Sequence, residues 1–235
     1  MKQLEEFILE KLKISKIETK YRPKTKEELI AIINKEIEAN GLNCSLNHID
    51  VSNINDMSFL FMRDKAAYYS GSLISDFDGD ISGWNVSNVT DMKYMFDGSK
   101  YSGKNGDISE WNVSNVTNMS SMFSDSKYNG NISDWDVSNV KYMGNMFYGS
   151  AFNGDISNWD VSNCEFMEYM FKNSVFNQDI SKWNVSKVKN FRGMFQNSKF
   201  NQNIDNWTPK KTSNFKDMIY KSPLQNNPPK WYYTL

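Results

Sequence analysis

The chain has 235 residues, and its 27 lysines and arginines nearly balance 28 aspartates and glutamates. This near-neutral charge excludes a global electrostatic field that would draw the protein to nucleic acid or to an acidic membrane. No apolar run approaches the ~18–20 residues that a membrane-spanning helix needs, so we expect neither a membrane span nor a nucleic-acid partner.

Residues 1–41 differ in composition from the rest of the chain and are predicted to form two helices. In the second helix, Thr25 and Glu28 have the spacing of a capping box. We interpret the region as an N-terminal helical cap over the open end of a repeat array, with a separate partner-binding helix pair as the alternative. The first helix is predicted from apolar residues at helical spacing: Leu4, Phe7, Ile8 and Leu12.

The N-terminal stretch MKQLEEFILEKLKI carries a charge every few positions, and no small-residue cleavage site follows it. This is not the pattern of a secretory signal. We therefore expect a cytoplasmic protein, with the cell surface or a virion as the alternative.

Residues 42–221 are predicted to form a repeat array. All seven tryptophans share one phase of the repeat, with one step of 27 residues from Trp84 to Trp111 and steps of 24 residues from there to Trp231. A fixed period of about 20 to 50 residues is the signature of stacked repeats. The first repeat is degenerate and carries an insertion within residues 62–79, the last repeat decays, and residues 222–235 are predicted to form a C-terminal cap.

Each repeat follows the pattern I-x-x-W-x-V-S-N-V-x-x-M-x-x-M-F. Its first part has the form of the leucine-rich-repeat strand, in which Trp159 and Val161 point inward and Asp160 points outward. The V-x-x-M-x-x-M-F part fits a short α or 3₁₀ helix. We therefore predict an α/β solenoid with a leucine-rich-repeat-like parallel sheet and one short helix per 24-residue repeat. A single repeat cannot offset its ordering entropy, so neighbours must share apolar columns.

The repeat DISNWDVSNCEFMEYMFKNSVFNQ, at residues 155–178, resembles the tandem unit DISxWDVSNVTxMxxMFxxAxxFNQ of the BspA-like leucine-rich-repeat family. The resemblance extends from Leu46 to Asp217. It implies a leucine-rich-repeat-like solenoid in a family whose members are mostly surface proteins or lipoproteins linked to adhesion and to binding of host proteins. From the N-terminal stretch we expect neither the signal peptide nor the lipobox cysteine of the surface members. The predicted helical N-terminal cap is similar to that of signal-less members from gut bacteria and their phages.

Catalytic and metal-binding residues are scarce. The one histidine, His48, cannot be joined to a Ser-His-Asp set from its spacing, so we expect no enzyme activity and no cofactor. The same shortage argues against a His/Cys metal site. Cys44 and Cys164 are predicted to lie several repeats apart, too far for a disulfide. Cys164 takes an apolar position of the repeat, and two free thiols fit a reducing compartment.

Outward positions of the predicted sheet supply the candidate binding residues. Two rows of polar side chains would face a partner: Glu110, Asn112, Asp134, Asp136, Asn158, Asp160, Lys182 and Asn184. Three of these residues, Asp134, Asp136 and Asp160, could instead form a weak Ca²⁺ site. The simplest interpretation is that Asn and Asp side chains bond their own backbone.

Tyrosines outside the inward phase supply a further surface. Tyr68 and Tyr69 lie in the insertion, a place where repeat proteins often bind. Other tyrosines open to stacking on a glycan are Tyr94, Tyr148, Tyr232 and Tyr233. We predict a monomeric, non-enzymatic scaffold that binds a protein partner of unknown identity through its repeat surface. The alternative is a surface or virion-associated adhesin that binds host protein or glycan.

Overall fold

The computed structural model describes residues 18–63 and 73–234. These residues contain one α-helix, α1 (Lys26–Asn40), and two 3₁₀ helices, Ile74–Asp76 and Pro223–Gln225. The rest of the described chain consists of turns and loops. The first predicted helix, at residues 4–12, lies outside the described residues.

The predicted α/β solenoid with a parallel sheet is wrong. The described residues contain no β-strand. Each repeat is instead a succession of β-turns, each closed by a hydrogen bond from a backbone N–H to the carbonyl of the residue three positions earlier. In residues 155–178 these bonds run from Trp159 to Ile156, from Cys164 to Val161 and from Met170 to Met167. The three-residue spacing in the motif therefore marks the ends of turns.

Left-handed residues prevent the V-x-x-M-x-x-M-F segment from forming the predicted helix. Tyr169 has a φ of 57° and Asn173 has a φ of 59°. This conformation costs an L-residue roughly 1–2 kcal/mol and is incompatible with a right-handed helix. The corresponding positions of other repeats also have positive φ, among them Asn145, Gly149 and Gly193.

Backbone hydrogen bonds join each turn segment to the next repeat. Because of the left-handed residues, alternate N–H groups point along the stack instead of back into the segment. In one interface these bonds, of 2.8 to 3.0 Å, connect Met167, Tyr169, Phe171 and Asn173 as donors with Asn190, Arg192, Met194 and Gln196 as acceptors. Only isolated parallel bridges take the place of the expected sheet, such as those between Asn118 and Tyr142 and between Tyr142 and Phe166.

Aromatic side chains form continuous columns through the core. Six tryptophans are buried, as their shared phase predicted, and Trp231 at the end of the stack is half-buried. The ring centroids of Trp111 and Trp135 lie 6.5 Å apart, and those of Phe123 and Phe147 lie 5.9 Å apart. Repeats thus share apolar columns, as expected, although they share them through turns.

The first insertion falls between Phe61 and Phe77. These rings stack at 5.3 Å, as Phe96 and Tyr101 stack at 4.7 Å in the next repeat. The first pair is separated by 16 positions in the sequence and the second pair by five. The insertion therefore leaves the aromatic column intact.

Helix α1 covers the first repeat. Its N-cap is Thr25, whose Oγ1 accepts a hydrogen bond from the Glu28 N–H at 3.2 Å, as the capping box predicted. Its apolar face, including Leu29 and Ile33, is buried. The Lys26 ammonium donates to the Ser58 carbonyl at 3.2 Å, which is the acceptor that a preceding repeat would otherwise use. No described helix is long and apolar enough to cross a membrane.

Candidate interaction surfaces

The polar rows predicted from the sequence lie on one surface, which we call the polar face. All eight of its residues are exposed: Glu110, Asn112, Asp134, Asp136, Asn158, Asp160, Lys182 and Asn184. The other two predicted residues, Tyr68 and Tyr69, lie outside the described part of the chain.

One row of the polar face holds the turns together. Asp136 and Asp160 accept hydrogen bonds from the backbone N–H of Ser138 and Ser162 at 3.0 and 2.9 Å. The hydroxyl and N–H of Ser162 lower the pKa of Asp160. Asn112 and Asn184 bond their own repeats in the same way. These oxygens bond their own backbone, which agrees with the simplest interpretation of the row.

The second row of the polar face has free side-chain ends. Glu110, Asp134, Asn158 and Lys182 donate and accept no side-chain hydrogen bond within residues 18–63 and 73–234. In the same residues, no group of three or more His, Cys, Asp or Glu side chains is arranged to hold a metal ion. This row can therefore offer both signs of charge to a partner.

A second surface, formed by the V-x-x-M-x-x-M-F segments that were predicted to be helical, carries exposed aromatic rings. We call it the turn face; it comprises residues 56–63, 91–98, 118–125, 142–149, 166–173, 190–197 and 214–221. Phe59 is 48 % exposed and Tyr142 is 43 % exposed. Phe59 stacks on Tyr94 at 5.0 Å, and Tyr142 stacks on Phe166 at 5.3 Å. These rings form pairs because the same outward position in two repeats is aromatic.

Cationic side chains lie over the rings of the turn face. The Lys189 Nζ lies 5.9 Å from the Phe166 ring centroid. The Tyr169 ring is approached by the Lys172 Nζ at 4.9 Å and by the Arg192 guanidinium at 5.6 Å. Such contacts contribute about 0.5–1 kcal/mol each at exposed sites. They help to hold the rings in place on the surface.

The remaining residues singled out from the sequence belong to the scaffold. The His48 Nε2 lies 3.2 Å from the Glu36 Oε2, and the other carboxylate oxygen, Oε1, accepts a hydrogen bond from the Lys20 ammonium at 2.8 Å. Glu36 is itself on α1 and is buried. Cys44 is half-buried, Cys164 is buried, and both are free thiols. Burial raises the pKa of the Cys164 thiol to about 12.

Stacked turns of one repeated sequence define the chain as a tandem-repeat protein. The family described as "Mycoplasma protein of unknown function, DUF285" matches residues 33–151, 67–174 and 126–231. The three overlapping matches together span most of the chain, and the protein belongs to this family. No curated protein and no solved structure matches it.

Proposed function

We propose that this protein is a non-enzymatic interaction scaffold that binds a protein partner through its turn face. The observation that carries the proposal is a stacked pair of rings on this face, the exposed Tyr142 and the half-buried Phe166. Aromatic residues and arginine are enriched in the centre of protein interfaces, where they supply most of the binding energy. Arg192 lies on the same face, over Tyr169.

A rigid base supports these rings. The N–H of Met143 donates to the backbone carbonyl of Phe166 at 2.9 Å, which joins the two backbone segments that carry the ring pair. Met143 and Met167, the buried residues that follow the two rings in sequence, are fully covered. A surface that is already ordered loses little conformational entropy when it binds. This arrangement favours binding without rearrangement.

The polar face supplies a second, weaker contribution. Its free row carries Glu110, Asp134 and Lys182, all exposed. Charges at the rim of an interface mainly affect the association rate and its salt dependence. We therefore assign orientation of the partner to this face, and most of the affinity to the turn face.

Capture of the partner from a lysate, followed by mass spectrometry, tests the proposal. The double variant Tyr142→Ser/Phe166→Ser removes the ring pair and should abolish capture. The control variant Asp134→Lys/Lys182→Glu reverses charges on the polar face and should retain capture with an altered salt dependence. Urea unfolding of each variant verifies that it is folded. Equal recovery of the same proteins by wild type and by the ring variant would contradict the proposal.

We also propose the finer family membership, in the BspA-like family, from the repeat motif at residues 155–178. That membership favours a second candidate function, an adhesin on a cell surface or virion that binds host protein or glycan. Fractionation of cells distinguishes the two. Protein found only in the cytosol would contradict the adhesin, and protein on the surface would contradict the cytoplasmic location that we propose for the scaffold. The scaffold is proposed to act as a monomer.

A further inference from the structure

A trough of about 250 Å³ interrupts the aromatic residues of the turn face. One left-handed position of the turn face is occupied in successive repeats by Phe59, Tyr94, Ser121, Asn145 and Tyr169. Tyr94 stacks on Phe59 on the side of the preceding repeat. In the following two repeats the rings are replaced by smaller side chains, and the trough lies there.

Two tyrosines and two carboxylates line the trough. Tyr94 and Tyr148 belong to repeats on either side of Ser121 and Ser124, and Asp97 and Asp125 contribute the carboxylates. The position of Tyr148 is fixed in part by Asn173, whose Nδ2 donates to the tyrosine hydroxyl at 3.0 Å. The walls are therefore aromatic, and the two carboxylates are the charged groups of the lining.

Gly149 makes room for one of these carboxylates. A Cβ at Gly149 would lie only 2.1 Å from the Asp125 Oδ1. Gly149 also has a φ of 60°, a conformation that favours glycine. The Asp125 carboxylate thus lies along the stack, in the space that a larger residue at 149 would fill.

The negative charge of the trough is not compensated. Neither Asp97 nor Asp125 forms an ion pair with any residue of the described chain. Burial and the nearby charge of Asp125 raise the pKa of Asp97, and the Ser124 hydroxyl opposes this effect. A cation beside the two carboxylates would favour the charged form of Asp97.

We propose that the trough binds the guanidinium group of an arginine side chain presented by the protein partner, an inference that rests on the proposed scaffold function. A guanidinium is planar and can stack on a tyrosine ring while it donates two hydrogen bonds to a carboxylate. A lysine ammonium can make the charge contact but not the planar one. A neutral sugar would leave the two carboxylates uncompensated.

Cations already lie close to both tyrosines. The Lys93 Nζ is 5.2 Å from the Tyr94 ring centroid, and the Lys172 Nζ is 5.9 Å from that of Tyr148. Neither lysine lines the trough. The rings therefore have surroundings that suit cation–π contacts, and the acidic part of the trough remains open to a cation from outside.

The inference is tested on the full chain with short peptides, by ¹⁵N NMR titration at fixed ionic strength. Acetyl-Gly-Arg-Gly-amide should shift the amide signals of Asp97 and Asp125. Its isosteric, uncharged citrulline analogue should bind at least about tenfold more weakly, because it loses the charge-assisted hydrogen bonds. The affinity of the lysine peptide should lie between those of the arginine and citrulline peptides. Maltotriose, a neutral sugar, should cause no shift of the amide signals at this site.

Variants assign the binding to the carboxylates. Asp97→Asn/Asp125→Asn keeps the size of both side chains, and asparagine tolerates the left-handed backbone at position 125. This variant should bind the arginine peptide about tenfold more weakly than the wild type does. The control Asp134→Asn, on the polar face, should bind the peptide like wild type.

Four results would overturn the inference. They are equal binding of the arginine and citrulline peptides, lysine binding as tight as arginine binding, a maltotriose site in the trough, and unchanged peptide binding by the Asp97 and Asp125 variant. Any of them leaves the scaffold proposal standing, because that proposal depends on partner capture by Tyr142 and Phe166. Conversely, if the ring variant captures the partner normally, the scaffold proposal fails even where the arginine peptide binds.

Discussion

The indole N–H of Trp159 donates a hydrogen bond of 2.9 Å to the backbone carbonyl of Ile132, in the preceding repeat. The same bond recurs for every tryptophan, at 2.8 to 3.2 Å. In chain order, the donors are Trp84, Trp111, Trp135, Trp159, Trp183, Trp207 and Trp231. The carbonyls that accept these bonds belong, in the same order, to Leu46, Ile81, Ile108, Ile132, Ile156, Ile180 and Ile204. A buried indole needs a partner for its N–H. The tryptophan thus couples each repeat to its neighbour by a polar contact as well as by packing.

Replacing Trp159 with phenylalanine should destabilise the protein by about 1–3 kcal/mol, because it removes the hydrogen bond and leaves a cavity. Urea unfolding measures the change. The control Tyr142→Phe, at an exposed ring, should alter the free energy of unfolding by less than about 0.5 kcal/mol. An unfolding midpoint of Trp159→Phe at the wild-type value would show that the indole contact contributes nothing.

Substitutions at left-handed positions distinguish the observed turns from the predicted helix. Gly193 is buried with a φ of 58°, and a Cβ there would lie 2.5 Å from the Tyr169 ring. Gly193→Ala should therefore destabilise the protein by at least about 1–2 kcal/mol. In a helix the same change would be stabilising by about 1 kcal/mol.

Asp217 provides the matched opposite change, since it is exposed and has a φ of 58°. Asp217→Gly should leave the stability unchanged or increase it, because glycine adopts this conformation without strain. Thermal unfolding of both variants gives the sign of each change in stability. Stabilisation by Gly193→Ala together with destabilisation by Asp217→Gly would support a helix and reject the turns.

Cys164 should resist thiol reagents in the native protein. Its thiol is buried, and burial raises its pKa to about 12, so the reactive thiolate is scarce near neutral pH. In a Cys44→Ser variant, which leaves a single thiol, a disulfide reagent at about pH 8 should react only after urea unfolding. Fast reaction of the folded variant would place Cys164 at the surface.

The valine found at the same position in other repeats offers a test of packing. Cys164 is equivalent to Val140 and Val188, which are equally buried. Cys164→Val should change the free energy of unfolding by no more than about 0.5 kcal/mol, since the site already accommodates valine in neighbouring repeats. A large loss would mean that the thiol contacts with the backbone matter more than the apolar packing.

Acid should weaken the N-terminal cap through Glu36. The hydrogen bond from Lys20 is the main reason that the pKa of this buried carboxyl is lowered. A lowered pKa stabilises the fold above the unfolded-state pKa of about 4.3, and this stabilisation is lost as the pH falls through the folded-state pKa. Glu36→Gln should therefore be less stable than wild type at neutral pH, with a difference that narrows below about pH 4.

Urea unfolding at neutral and acidic pH measures that difference. Lys20→Gln removes the other member of the pair and should show the same narrowing. A gap between wild type and Glu36→Gln that stays constant across this range would mean that ionisation of Glu36 does not contribute to stability.

The repeat and its inward side chains could be predicted from the sequence, but the backbone conformation could not. The 24-residue step of the tryptophans fixes which residues stack, and Thr25 with Glu28 marks the start of α1. The three-residue spacings of the motif fit a helix and a series of β-turns equally well. Nothing about Tyr169 as a residue type indicates a left-handed conformation, which tyrosine rarely adopts.

The candidate surfaces could also be predicted only in part from the sequence. The exposure of the polar face could be predicted, because Asp160 and its equivalents alternate with buried residues. The turn face was missed because its segment was assigned to a helix. The signal was present at the second x of V-x-x-M, directly before the first methionine of M-x-x-M-F, where Tyr142 and Phe166 are aromatic in adjacent repeats. Without the turn geometry, these residues could not be placed side by side.

Hydrogen exchange of individual amides tests the stack of turns most directly. The N–H groups of Tyr169 and Phe171 donate to the next repeat at 2.8 and 2.9 Å, whereas the Glu168 N–H has no acceptor in the described structure. We predict that Tyr169 and Phe171 exchange only through global unfolding, and that Glu168 between Met167 and Tyr169 exchanges far faster. Uniform protection from 168 to 173, as in a helix, or rapid exchange of Tyr169 and Phe171 would contradict this structure.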